Sequence, residues 1–176
     1  MKKMKLLFAA ASLALVFSAC DKDNDNTNDV GVESSNPNDV NFALQASNSN
    51  TMEIILGRLA ASMATNTGVR TFGQMMVTEH TPAQAQLQTA ANNAHLAVSL
   101  DSSAAISART SLMQLSGRAF DSAYITMQVQ GHTQTLQLLQ TEVAGGASPS
   151  LKGYASAQIP VVTEHLRIAD SLRRNL

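Results

Sequence analysis

From about position 40 onward, apolar residues recur at steps of three and four, and strand-like alternation is scarce. That period predicts helices carrying one buried stripe each. Helix A is expected over about Val40 to Asn66, capped by Asp39. Its inward positions are Phe42, Ala43, Ala46, Glu53, Leu56, Leu59 and Ala60. Thr67-Gly68 breaks the chain before helix B, about Val69 to Ala94, which turns Phe72, Met76, His80, Ala83, Leu87 and Ala91 inward. Pro82 inside it should bend the helix or split off its first half. A short helix capped by Asp101 or Ser103 runs to about Leu115, and Gly117 marks a bend. Helix C covers about Arg118 to Ala144, with Phe120, Tyr124, Met127, Thr135, Leu138 and Leu139 on its apolar side. Gly145-Gly146 stops it. Ser148-Pro149 starts helix D, which reaches about Arg173 with a second kink at Pro160. The pattern predicts an all-α antiparallel four-helix bundle over residues 40–176, with an extra short helix between helices B and C.

The first 39 residues follow another rule. Lys2, Lys3 and Lys5 precede an uncharged run, Leu6 to Ala19, about 21 Å long as a helix. That is too short to span a bilayer and right for a signal-peptide core. The run ends in Ser18-Ala19 before Cys20, the single cysteine. This resembles a bacterial lipoprotein processing box, with residues 1–19 as the signal and Cys20 as the lipidated residue. A plain secretory peptide and a buried helix with a stray cysteine are the rivals. Acylation would remove an exposed free thiol and supply enough acyl chain to anchor the protein in a membrane. Residues 20–39 hold six acids and one lysine with almost nothing apolar, so they read as a disordered tether. The acidic run directly after the cysteine also resembles the export signal of surface-exposed lipoproteins in the Bacteroidetes. That implies an outer-membrane lipoprotein, periplasmic or surface facing. A solubilising linker fits the same composition.

The split changes how the overall charge is read. The 176 residues carry 12 basic and 13 acidic side chains, a formal charge of −1. Residues 40–176 alone carry +1, so the tether holds the acidity. A near-neutral domain with Gln, Asn, Ser and Thr surfaces argues against a nucleic-acid partner. One cysteine excludes an intrachain disulfide framework and a cysteine-cluster metal site. No Ser-His-Asp order, phosphate-cradling glycine loop or paired catalytic carboxylate stands out, so a binding or structural role is expected rather than catalysis. The eight methionines read as core filler, and His95 as an exposed residue at a helix end.

One candidate for chemistry remains. Val77-Thr78-Glu79-His80 recurs as Val162-Thr163-Glu164-His165, placing a histidine on the apolar side of helix B and of helix D. Helix C adds Asp121, Tyr124, Gln128 and His132 along one face. Asp121 and His132 lie about 16 Å apart along the axis, too far to hold one ion together. Glu53 sits in an otherwise apolar stretch of helix A, with Gly57 and Ala60 allowing close approach. Three readings compete. His80, His132 and His165 could tie helices together in a buried polar network with Glu53, Asp121 or Tyr124. They could hold one transition-metal ion, using His80, His165 and either His132 or Glu53. Or Pro82 and Pro160 could open a small-molecule or peptide pocket beside them.

Thr51 to Gly57, Val69 to His80, Phe120 to His132 and Pro160 to His165 together resemble the ferritin-like domain of unknown function 4142, described as a predicted outer-membrane protein. The resemblance covers about residues 39–172 and implies a four-helix fold and an envelope location. Di-iron members of the wider ferritin-like group place Glu three residues before His. Here Val77 and Val162 hold those positions, and the adjacent Glu79 and Glu164 point about 100° away from their histidines. Di-iron chemistry is therefore not expected. The expectation is a lipid-anchored envelope protein with a structural or binding bundle, the alternative being a metal-binding or redox protein using bundle-core histidines.

Overall fold

A computed structural model describes residues 33–99 and 101–176. Cys20, the signal segment and most of the tether lie outside them. Among the described residues, five helices follow in order: α1 Pro37–Met63, α2 Thr67–Asn93, α3 Ser103–Leu112, α4 Gly117–Gly145 and α5 Pro149–Asn175. Among the described residues, no helix is long and apolar enough to cross a membrane.

The helix starts follow local side-chain chemistry. Asn36, not Asp39, caps α1: it accepts from the backbone N–H groups of Asn38 and Asp39, and Asp39 returns the bond to the Asn36 N–H. With Pro37 as the first helical residue, the helix opens three residues before the expected Val40. Residues 33–39, acidic enough to read as tether, thus belong partly to the fold. Asn66 caps α2 through Gly68 and Val69, and Ser148 caps α5 through Leu151. At the end of α2, exposed His95 takes φ 56, and Leu96 donates back to the Ala91 carbonyl to close the turn.

Of the two outcomes expected at Pro82, a bend or a split, the split does not occur, and the helix holding Pro160 is likewise unbroken. α2 runs through Pro82 and α5 through Pro160. Both prolines are exposed, as are Thr78 and Ser156, whose carbonyls lose their helical donors, so water can satisfy the freed groups.

Asp121 at the start of α4 accepts from Thr65 and Asn66 at the end of α1, while Asn36 and Asn38 reach the Gly145 carbonyl at the other end. Helices α1 and α4 are therefore antiparallel neighbours. Asn93 meets Ser150, and Gly68 lies against Leu172, so α2 and α5 are antiparallel too. The long return from the end of α2 to the start of α4 passes through α3, which packs on α1 and α4. This is the ferritin-like bundle with one long crossover. Helices α1 and α2 approach closely: a Cβ at Gly57 would sit 2.7 Å from the Gly73 carbonyl oxygen.

Two apolar clusters fill the interior. One holds Leu56, Phe72, Met76, Phe120, Tyr124 and Ile125. The other holds Phe42, Leu87, Leu139, Leu151, Tyr154 and Val162. Between these clusters along the helices lie buried Asn50, Glu53, His80, His132 and His165.

Candidate metal centre

His80 projects from α2, His132 from α4 and His165 from α5, each at a position where the apolar period demands a core residue. Their exposures are 4%, 1% and 1%. One ring nitrogen from each lies within 4.8 Å of one from each of the others. The ring centroids are 5.3 to 5.9 Å apart. Phe72 packs against His132 and His165 and closes one side.

The hydrogen bonds fix which nitrogen of each ring is free. His132 Nδ1 lies 2.9 Å from the Gln128 carbonyl oxygen, which can only accept. His165 Nε2 lies 3.0 Å from a Glu79 carboxylate oxygen, also an acceptor. His80 Nδ1 lies 2.9 Å from Asn50 Oδ1, and the Asn50 amide nitrogen is committed to the Tyr154 hydroxyl. Each of these ring nitrogens therefore carries the proton. The lone pairs fall on His80 Nε2, His132 Nε2 and His165 Nδ1, and these three atoms are buried without a hydrogen-bond partner among the described residues. Metal-bound histidines are oriented in the same way: the second nitrogen donates to a carboxylate, carbonyl or similar acceptor, and the first keeps its lone pair for the ion.

The electrostatics keep the rings neutral. Burial pushes His80 down to about 3, with His132 and His165 adding to the shift. Burial pushes His132 down to about 4, partly opposed by its bond to Gln128. His165 is lowered by burial and by His132, against the pull of Glu79. At neutral pH all three offer lone pairs rather than positive charge. In a tetrahedral site with bonds of about 2.0–2.1 Å, donor nitrogens stand about 3.3 Å apart, so closing on an ion needs pairwise movements of about 1.5 Å or less. The donor set fits a borderline transition-metal dication.

The other candidate residues separate into three places. Glu53 is beside the triad and not part of it: its Oε1 lies 3.7 Å from His132 Nδ1, the nitrogen that donates to the Gln128 carbonyl. Burial raises its carboxyl to about 7, partly offset by a bond to Gln128. Tyr124 is wholly buried against Phe72 with its hydroxyl unpartnered, and burial and the nearby Glu53 raise it well above 10. Asp121 is elsewhere, at the bundle end, binding Thr65 and Asn66. A polar network linking the histidines to Asp121 or Tyr124 is thus not what forms.

Two participants escape a reading by spacing alone. Glu79 belongs to the repeated motif but acts across the bundle, on the histidine of the other copy. Its counterpart Glu164 turns out to Arg167 instead. Asn50 occupies an inward position of α1, one turn before Glu53, and that polar interruption is the signal that marks it.

Comparison with known proteins adds one identification. No curated protein and no solved structure matches the chain. A family model, the domain of unknown function DUF4142, matches residues 26–172. The chain therefore belongs to the DUF4142 family.

Proposed function

We propose that this bundle is a metal-binding module that holds one transition-metal dication on His80, His132 and His165. The observation that supports it is the convergence of three buried imidazoles, each with one ring nitrogen tied to an acceptor and the other unpartnered. A histidine retained only to join helices would gain nothing from leaving an acceptor orphaned, at a cost of about 1–3 kcal/mol each. Neutral imidazoles suit zinc, copper, nickel or iron. Bound there, the ion would supply Lewis acidity or redox capacity, while the chain's own groups orient the rings and exclude water. The role proposed is binding rather than turnover.

The test is elemental analysis and calorimetric titration of protein purified without a metal-affinity tag. One equivalent of Zn2+ or Cu2+, lost in a His80→Ala, His165→Ala double variant, is the expected result. Failure of the wild-type protein to bind one equivalent of any of the four metals overturns the reading.

The cellular setting is proposed from the sequence alone. The basic start, uncharged run and Ser18-Ala19-Cys20 junction support an outer-membrane lipoprotein anchored through Cys20, holding the module off the membrane on an acidic tether. A Cys20→Ser variant is expected to leave the membrane fraction, and one that stays there overturns the assignment.

A further inference from the structure

An ion bound at the triad must pass a protein wall, because all three histidines are buried. The geometry points to the cleft between α1 and α4 as the access route for the cation, with Glu53 as its inner landing point and His132 as the residue that takes the ion over. This rests on the metal-binding reading above.

Four observations carry it. First, two adjacent clefts, about 330 and 210 Å³, run between α1 and α4, and Glu53 lines both. Second, Glu53 Oε2 is buried and has no hydrogen-bond partner among the described residues. Third, the larger cleft offers oxygen donors suited to a partly hydrated cation. They come from Asp101 at the start of α3, Asn48, Gln45, Gln134 and Thr135, and no basic side chain lines either cleft. Gly131 stands where the clefts meet the carboxyl; a Cβ there would lie 3.7 Å from Glu53 Oε1, so a longer side chain would occupy that space. Fourth, His132 faces both ways: Nδ1 lies 3.7 Å from Glu53 Oε1, and the unpartnered Nε2 belongs to the triad. Nδ1–H stays bonded to the Gln128 carbonyl, so the ion passes from the Glu53 carboxylate to the Nε2 lone pair of the same ring.

The competing route enters between α2 and α5 past Glu79, whose side chain is 42% exposed and holds His165. Charge substitutions at the exposed Gln134, which lines both α1–α4 clefts, separate the two without disturbing the core. Apo protein would be mixed with Co2+ in a stopped-flow instrument and uptake followed by its visible d–d absorption. Gln134→Arg is expected to slow association about three- to tenfold and Gln134→Glu to speed it, with the effect shrinking at high salt. Gly131→Leu, verified as folded by circular dichroism, is expected to slow association about tenfold while leaving the final Co2+ stoichiometry at one. Normal uptake rates in Gln134→Arg overturn the route while leaving the metal site standing. Slowed association in Glu79→Gln but not in the Gln134 variants places the entrance between α2 and α5, with the same consequence. Absence of a Co2+ signal in the wild-type protein overturns the route, and absence of zinc, copper, nickel and iron binding as well overturns the reading beneath it.

Discussion

At each end of the bundle one buried aspartate is saturated by donors; midway along it, buried imidazoles are left with open lone pairs. Asp121 accepts from the backbone N–H groups of Thr65 and Asn66 and from the Thr65 hydroxyl, locking the α1–α2 turn to the start of α4. At the opposite end Asp39 accepts from the backbones of Asn36, Ala147 and Ser148, locking α1 to the α4–α5 turn. Burial alone would raise Asp39, but those donors hold its carboxyl below the ordinary range. Both acids answer the need of helix ends for acceptors, and nothing is left over. The histidines answer no such need. Their protonated nitrogens are satisfied, their other nitrogens are unpartnered, and the three rings share one small volume. Buried polarity that closes its own hydrogen-bond account is architecture. Buried polarity that converges and stays open is a site.

Substitutions at the middle and at an end should therefore respond oppositely to metal. Wild-type protein with Zn2+ at a thousandfold excess over its Kd should gain about 4 kcal/mol of stability. His132→Leu should abolish that gain. Without metal, His132→Leu should change stability by less than about 1 kcal/mol, since it removes an orphan acceptor and keeps the volume. Asp121→Ala should instead cost about 2–4 kcal/mol by stripping two backbone donors and a hydroxyl of their acceptor, and should still bind Zn2+. Denaturant unfolding with and without Zn2+ measures both. Equal metal-dependent gains in His132→Leu and wild type would erase the distinction.

The part of this contrast legible in the sequence is the part set by helical period. Phe72, Met76, His80 and Leu87 on α2, and Phe42, Ala46, Glu53 and Leu56 on α1, are inward because steps of three and four put them there. That same period aligned the repeated Val-Thr-Glu-His motifs on inner faces, and the triad follows once the bundle closes. Three things were not legible. The α1 cap depended on Asn36 and Asp39 working as a reciprocal pair, whereas composition alone assigns both to the tether. Continuity through Pro82 and Pro160 depended on those residues facing water, which a propensity rule for proline does not encode. Helical spacing turns Glu79 about 100° away from His80. The rotation that removes it from its own histidine is what delivers it to His165 on α5, and only a tertiary contact reveals that.

Glu79 gives the next, smaller test. It holds the His165 tautomer from outside the cluster. Glu79→Ala should lower metal affinity about 10- to 100-fold without lowering stoichiometry. Glu79→Gln, which keeps an acceptor oxygen, should recover much of the loss. Glu164→Ala, the corresponding change in the second motif, should leave affinity unchanged, because Glu164 pairs with exposed Arg167. Equal losses at the two positions would mean that the motif acts through charge near the bundle rather than through orientation of one ring.

The smallest effect lies at the α1 N-terminal end and concerns pH. Glu142 lies against Asp39, and burial, together with that neighbour, raises its carboxyl from 4.5 to about 7. A raised carboxyl means that the folded state holds a proton which the unfolded state releases near 4.5. The stabilising contribution is complete below about pH 4.5 and is lost as pH rises through about 7. Glu142→Gln keeps the shape and a donor but cannot ionise. Its advantage over wild type should grow between pH 5 and pH 8, reaching about 3 °C in Tm at the upper end. Thermal unfolding of apo protein across that range measures it. Were the difference independent of pH, the carboxyl would already be ionised at pH 5, and this bundle end would hold two adjacent negative charges that the donors of the α4–α5 turn satisfy together.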